Sequence, residues 1–154
     1  MREFSDSDRN KKSRRIVLPE NPGNLLTELL DRLEKAISLN LADGYLACMT
    51  AWRLADELSV SRLDVGAMVD KLGIRITSCQ LGCFKVAKSG KSEPVGTISD
   101  EAVVCRIKTL NAEGKLTCSA IHEIAHEMEV IPMLLADVAN AQGCKIRLCQ
   151  LGCF

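Results

Sequence analysis

The six residues Cys79-Gln80-Leu81-Gly82-Cys83-Phe84 return unchanged as Cys149-Gln150-Leu151-Gly152-Cys153-Phe154. On that offset residues 42–84 lie over 112–154 without a gap, and Ala42, Gly44, Leu46, Cys48, Ala55, Glu57, Val60, Gly73 and Ile76 all meet identical partners. A tandem duplication makes each copy a structural unit, so one local plan has to fold twice. Phe4, Tyr45, Trp52, Phe84 and Phe154 are the only aromatics, so the core must be built from aliphatic side chains, a composition that leans helical.

A chain of 154 residues can bury roughly 68–70 % of its unfolded surface, enough for a true core. Its formal net charge of zero removes the global electrostatic footprint of a nucleic-acid binder, so such a partner must be met by a local patch. No apolar run approaches the ~18 residues of a membrane span, and the charged amino terminus lacks the apolar stretch of a signal peptide. The expectation is a cytoplasmic protein with no membrane partner. There thiols stay reduced, so the eight cysteines read as small buried hydrophobes or metal ligands and not as a disulfide framework.

Residues 1–20 read as a flexible arm, charged and without periodicity. Within it Lys11, Lys12, Arg14 and Arg15 form a basic cluster able to track phosphates. Unit one, 21–84, opens with a helix capped by Asn21 or Asn24 and running to Asn40, on which Leu26, Leu29, Leu30, Leu33 and Ile37 recur at helical spacing. After Asp43-Gly44 turns the chain, Tyr45-Leu46 reads as a short strand. Cys48 to Leu58 then reads as a second helix with Cys48, Trp52, Ala55 and Leu58 on one stripe. Ser61 with Asp64 three residues on predicts a reciprocal cap for a third helix ending at Leu72, with Gly73 in the left-handed closing position. Ile74 and Ile76 then alternate as a strand.

Residues 85–96 read as a polar linker, and 97–154 repeat the plan as unit two. Ser99 is placed to cap its first helix, the second spans Cys118 to Met128, and the third opens on Pro132 and closes before Gly143. Lys145-Ile146-Arg147-Leu148 reads as the matching strand.

Ala55, Leu58, Val60, Val65 and Met68 stand where a bihelical motif places its small crossing residue and apolar contacts, and Ala125, Met128, Val130, Leu135 and Val138 repeat them. In most of both units the chain resembles the helix-turn-helix superfamily in its winged-helix form. The family's turn glycine is here Ser59 and Glu129. The resemblance implies a mainly α fold of two tandem winged-helix-like units, three helices plus short strands each, in a pseudo-twofold arrangement. It also implies DNA binding and transcriptional regulation, with double-stranded DNA met by the arm and by Ser61, Arg62 and Lys71. Unit two presents Ile131, Pro132, Met133, Ala136, Asp137 and Asn140 on the corresponding face, without a cation, and so suits a protein partner or self-association. Lys145-Ile146 followed by Cys149-Gln150-Leu151-Gly152 and a phenylalanine also resembles small winged-helix-like modules of anaerobic microbes, some next to molybdenum-cofactor proteins.

Two constellations carry chemistry. Cys79, Cys83, Cys149 and Cys153 form two Cys-x3-Cys pairs, and a twofold pairing of the units would bring four thiolates together for zinc or an iron–sulfur cluster. The competing reading has the thiols fill small gaps beside the glycine turns. His122-Glu123-Ile124-Ala125-His126 has the spacing of a zinc protease, two imidazoles one helical turn apart with a glutamate general base. The equivalent stretch of unit one is Trp52-Arg53-Leu54-Ala55-Asp56, so the histidines read as the outer face of a second helix. The sequence thus points to a non-enzymatic DNA-binding protein. Its alternative is a protein-interaction or metal- or iron–sulfur-sensing module, and a zinc metalloprotease is the remote third reading.

Overall fold

The computed structural model describes residues 21, 23–83 and 101–153. The basic cluster Lys11, Lys12, Arg14 and Arg15, the linker 85–96, the Ser99 cap, Phe84 and Phe154 lie outside the described residues. What is described is mainly helical, with one two-stranded sheet. Among the described residues no helix is long and apolar enough to cross a membrane.

In unit one, α1 (Thr27–Leu39) buries Leu33 and Ile37, one turn apart, against the two helices that follow. It starts later than the asparagines suggest. Asn21 Oδ1 instead accepts from the Leu25 amide at 2.8 Å, Asn24 takes φ +50°, and Leu26 is the extended residue before the first turn. Strand β1 (Tyr45–Ala47) leads directly into α2 (Cys48–Leu58), and α3 (Arg62–Lys71) follows after three residues. The third helix is fixed by the expected reciprocal cap. Ser61 Oγ accepts from the Asp64 amide at 3.1 Å, and the Asp64 carboxylate accepts from the Ser61 amide at 3.1 Å. Ser59, where the bihelical motif wants glycine, is left-handed at φ +54°, and Glu129 adopts the same φ in unit two.

Strand β2 (Arg75–Thr77) pairs with β1 in parallel, Tyr45 with Arg75, Leu46 with Ile76 and Ala47 with Thr77. Parallel neighbours need a crossover, and α2 with α3 supplies it. Unit two repeats this with α4 (Glu101–Ala112), α5 (Cys118–Glu127) and α6 (Pro132–Ala141). Thr117 caps α5 by accepting from the Ala120 amide at 3.1 Å, and Pro132 opens α6. The expected strand at Lys145–Leu148 is reduced to a single parallel bridge, Thr117 with Arg147. The Lys145 amide is taken by the Asn111 side chain at 3.1 Å and Leu148 turns left-handed at φ +54°, so the ladder has nothing to extend along.

Each unit has its own core, and each core is completed by the other unit. Leu33, Ile37, Leu46, Leu54, Val65, Met68 and Val69 pack with Cys149 and Leu151. Val103, Ile107, Leu116, Ile121, Ile124 and Leu135 pack with Cys79 and Leu81. Immediately before each exchanged segment, Ser78 (φ +51°) and Leu148 (φ +54°) turn the chain. The exchange fits only because backbones approach closely: a Cβ on Gly66 of α3 would stand 2.0 Å from the Leu151 carbonyl oxygen. Around the seam the contacts are reciprocal, Gly152 against Leu63 and Gly82 against Met133, the same two positions read in either direction. Trp52 packs against both cores, which takes it off the purely internal stripe that periodicity assigns to it.

Candidate functional site at the seam between the units

The exchange gathers sulfur. Cys48 and Cys118 open α2 and α5 and are buried; Cys79 and Cys149 begin the exchanged segments and are buried; Cys83 and Cys153 end them and are exposed. Gln80 and Gln150 hold the first pair, donating from Nε2 to Cys48 Sγ at 3.7 Å and to Cys118 Sγ at 3.9 Å. Cys149 Sγ accepts from the Leu151 amide at 3.4 Å and from the thiols of Cys118 and Cys153. Those thiol donors push its titration well below the ordinary cysteine range, against the opposing effect of burial. The same sharing pushes Cys118 and Cys153 up, with burial adding to it. Burial, and then the neighbouring Cys79, pushes Cys83 up to about 11. Burial raises Cys48.

Beside the sulfurs lies a cleft of about 600 Å³ whose walls come from both units, among them Trp52, Arg62, His122, His126, Pro132 and Gln150. The guanidinium carbon of Arg62 sits 3.4 Å from the centroid of the Trp52 ring, a close cation–π contact, and Arg62 Nη1 donates to Gln150 Oε1. The imidazole of His122 lies 4.4 Å from Trp52, tilted by 45°. Its Nε2 is buried without a partner among the described residues. Burial and then the Arg62 charge lower the His122 pKa, so at neutral pH the ring is uncharged. Glu123 accepts from the Ser119 hydroxyl at 2.9 Å, and Glu127 is paired with Arg106.

The structure thus draws Cys79, Cys83, Cys149 and Cys153 into one neighbourhood, together with Cys48 and Cys118, which the sequence assigned to the core alone. Among the described residues no group of three or more His, Cys, Asp or Glu side chains is placed to hold a metal ion. Of the residues expected to touch DNA, Ser61 is engaged in the α3 cap, Arg62 faces Trp52 and Gln150, and Lys71 stands exposed in the last turn of α3. The histidine pair divides: His126 is exposed, whereas His122 is turned inward against Trp52. Sequence periodicity missed the contact between Trp52 and His122. Its signal was available, because the two occupy the same position in the two copies, and a reciprocal pairing of repeats makes equivalent residues meet. No protein-family profile, curated protein or solved structure matches the chain.

Proposed function

We propose that the chain is a tandem helix-turn-helix-type module that works as a thiol-responsive interaction protein. The supporting observation is the exchange itself, which sets Cys149 between the thiols of Cys118 and Cys153 and lays the segment that carries it across α3. A thiolate is the reactive form of cysteine, and the hydrogen bonds around Cys149 favour it there. With hydrogen peroxide as oxidant, the Cys149 thiolate and the Cys153 thiol join in an S–S bond, one proton coming from the Cys153 S–H and the other from solvent. The two electrons and two protons pass to the peroxide, which leaves as two waters. A bond between Cys149 and Cys153 would pull on Leu151 and Gly152, the residues that seat the segment on unit one. Oxidation would thereby loosen or tighten the seam, and a partner that grips both units would sense it.

The experiment is peptide mass spectrometry on reduced protein after one equivalent of peroxide. The expected product links Cys149 to Cys153 and leaves Cys105 and Cys144 as free thiols. Oxidation that begins at exposed Cys105, with the seam untouched, would remove the proposal.

A second reading, DNA binding, is favoured by the left-handed turns at Ser59 and Glu129 between paired helices and by the reciprocal Ser61–Asp64 cap. In it Lys11, Lys12, Arg14 and Arg15 supply phosphate contacts, while Arg62 contributes only on leaving Trp52. Anisotropy of labelled duplex DNA across a salt series tests it. Affinity must fall steeply with salt, and a flat response counts against DNA as partner.

A further inference from the structure

We propose that the cleft between α2, α3 and α5 is a binding site for a small organic oxyanion, a carboxylate or a phosphate ester. The proposal is independent of the thiol chemistry. Two hydrogen-bonding groups converge there on one tryptophan: the Arg62 guanidinium, 3.4 Å from the ring centroid, and the His122 imidazole, 4.4 Å from it. One Arg62 nitrogen is used on Gln150, and the fork keeps further N–H donors for a ligand. Among the described residues His122 Nε2 is buried without a partner, a costly state for a polar atom that a ligand oxygen relieves once the ring turns toward the cleft.

Two acids also stand at the cleft. Glu127 is paired with Arg106, and Glu123 is engaged by Ser119. Arg62 is the arginine that lines the cleft, Glu123 keeps its charge there, and the His126 imidazole lines the same wall. The volume of about 600 Å³ exceeds what an inorganic ion fills and suits a small organic acid or phosphate ester.

Divergence between the copies points the same way. Where unit two places Ser119, His122, Glu123, His126 and Pro132, unit one carries Met49, Trp52, Arg53, Asp56 and Arg62. Smaller or uncharged groups thus stand on one side of the seam where larger or charged ones stand on the other. Duplication alone supplies a symmetric seam, and these substitutions open one side of it.

The test uses the whole protein with inorganic phosphate and succinate as probes and chloride as the control at matched ionic strength. Trp52 is the only tryptophan, so its emission reports directly on the cleft, and calorimetry gives an independent reading. Saturable binding of at least one probe is expected, with a dissociation constant of about 1 mM or tighter. A response to phosphate alone assigns a phosphate ester, and a response to succinate alone assigns a carboxylic acid. R62Q should weaken binding about tenfold, H122N should weaken it less, and R53Q, on α2 next to Trp52 but outside the cleft, should leave it unchanged. Responses that chloride reproduces would overturn the proposal. So would wild-type affinity in both R62Q and H122N, each shown by its melting curve to be folded.

Discussion

Replacing Gly66 by alanine sets two effects of known size against each other. Gly66 lies inside α3, where helix propensity alone makes alanine the better residue by ~1 kcal/mol. The added methyl, however, would sit 2.0 Å from the Leu151 carbonyl oxygen, 2.8 Å from its carbon and 3.2 Å from its Cα. Those are backbone atoms and cannot swing aside like the tip of a side chain. Either α3 and the exchanged segment strain against each other, costing ~1–3 kcal/mol, or the segment lifts and Leu151, now 3 % exposed, surrenders ~1.5–3 kcal/mol of burial. After the propensity gain is subtracted, G66A should lose up to ~2 kcal/mol. Urea unfolding followed by far-ultraviolet dichroism reads this as a lowered midpoint. Ala136 holds the matching position of unit two and is buried in its core, so A136G should cost the ~1 kcal/mol of propensity and ~1 kcal/mol more for the buried methyl. Combining G66A with Leu151→Ala should cost less than the two losses added together, because a segment already loosened has less to lose. A G66A protein more stable than the parent would refute the close approach and with it the exchange.

Leu81→Ala removes a side chain that is 3 % exposed in the core of unit two, and ~2–5 kcal/mol should go with it. Hydrogen exchange should show protection falling in α5 and α6 and not in α1, although Leu81 follows unit one in sequence; loss confined to α1–α3 contradicts the exchange. Ser61→Ala should cost ~1 kcal/mol in urea, with Asp64→Ala removing much of the same energy, so that the double variant loses less than the sum. His122 titrates lower folded than unfolded, so the unfolded chain binds the proton more readily. Stability is then full above the ordinary value of 6.5 and falls as pH drops below it. Thermal melts from pH 8 to pH 5 should show that fall, and H122N should flatten it; parallel profiles contradict the burial argument.

Most local structure was legible because local chemistry decides it. Ser61 with Asp64, the glycine after α3 and Pro132 at the start of α6 act within a turn of themselves, and the structure puts each to the expected use. The partner of the repeated cysteine segment was not legible for a physical reason. Copies built on one plan offer similar grooves, so the pattern says that Leu81 and Leu151 are buried but not in which core. The difference lies in single positions, and Gly66 inside a helix, where its counterpart is Ala136, was the available mark of close backbone contact. The shortened pairing in unit two was equally hidden, since the Asn111 side chain that takes the Lys145 amide comes from another element. Of the site, the four segment cysteines were legible from their spacing. Arg62, Trp52, His122 and Gln150 were not, because they meet only through the seam.

Because Leu151 fills one core and Leu81 the other, neither half of this chain possesses a finished interior. A lone copy of the repeat would need to meet a second copy before it could close, and its folding would then depend on concentration. Joining the copies in one polypeptide turns that encounter into an event within a single molecule. It also frees the two halves from having to stay alike, and a tryptophan can then face a histidine where a symmetric dimer would have to set like against like.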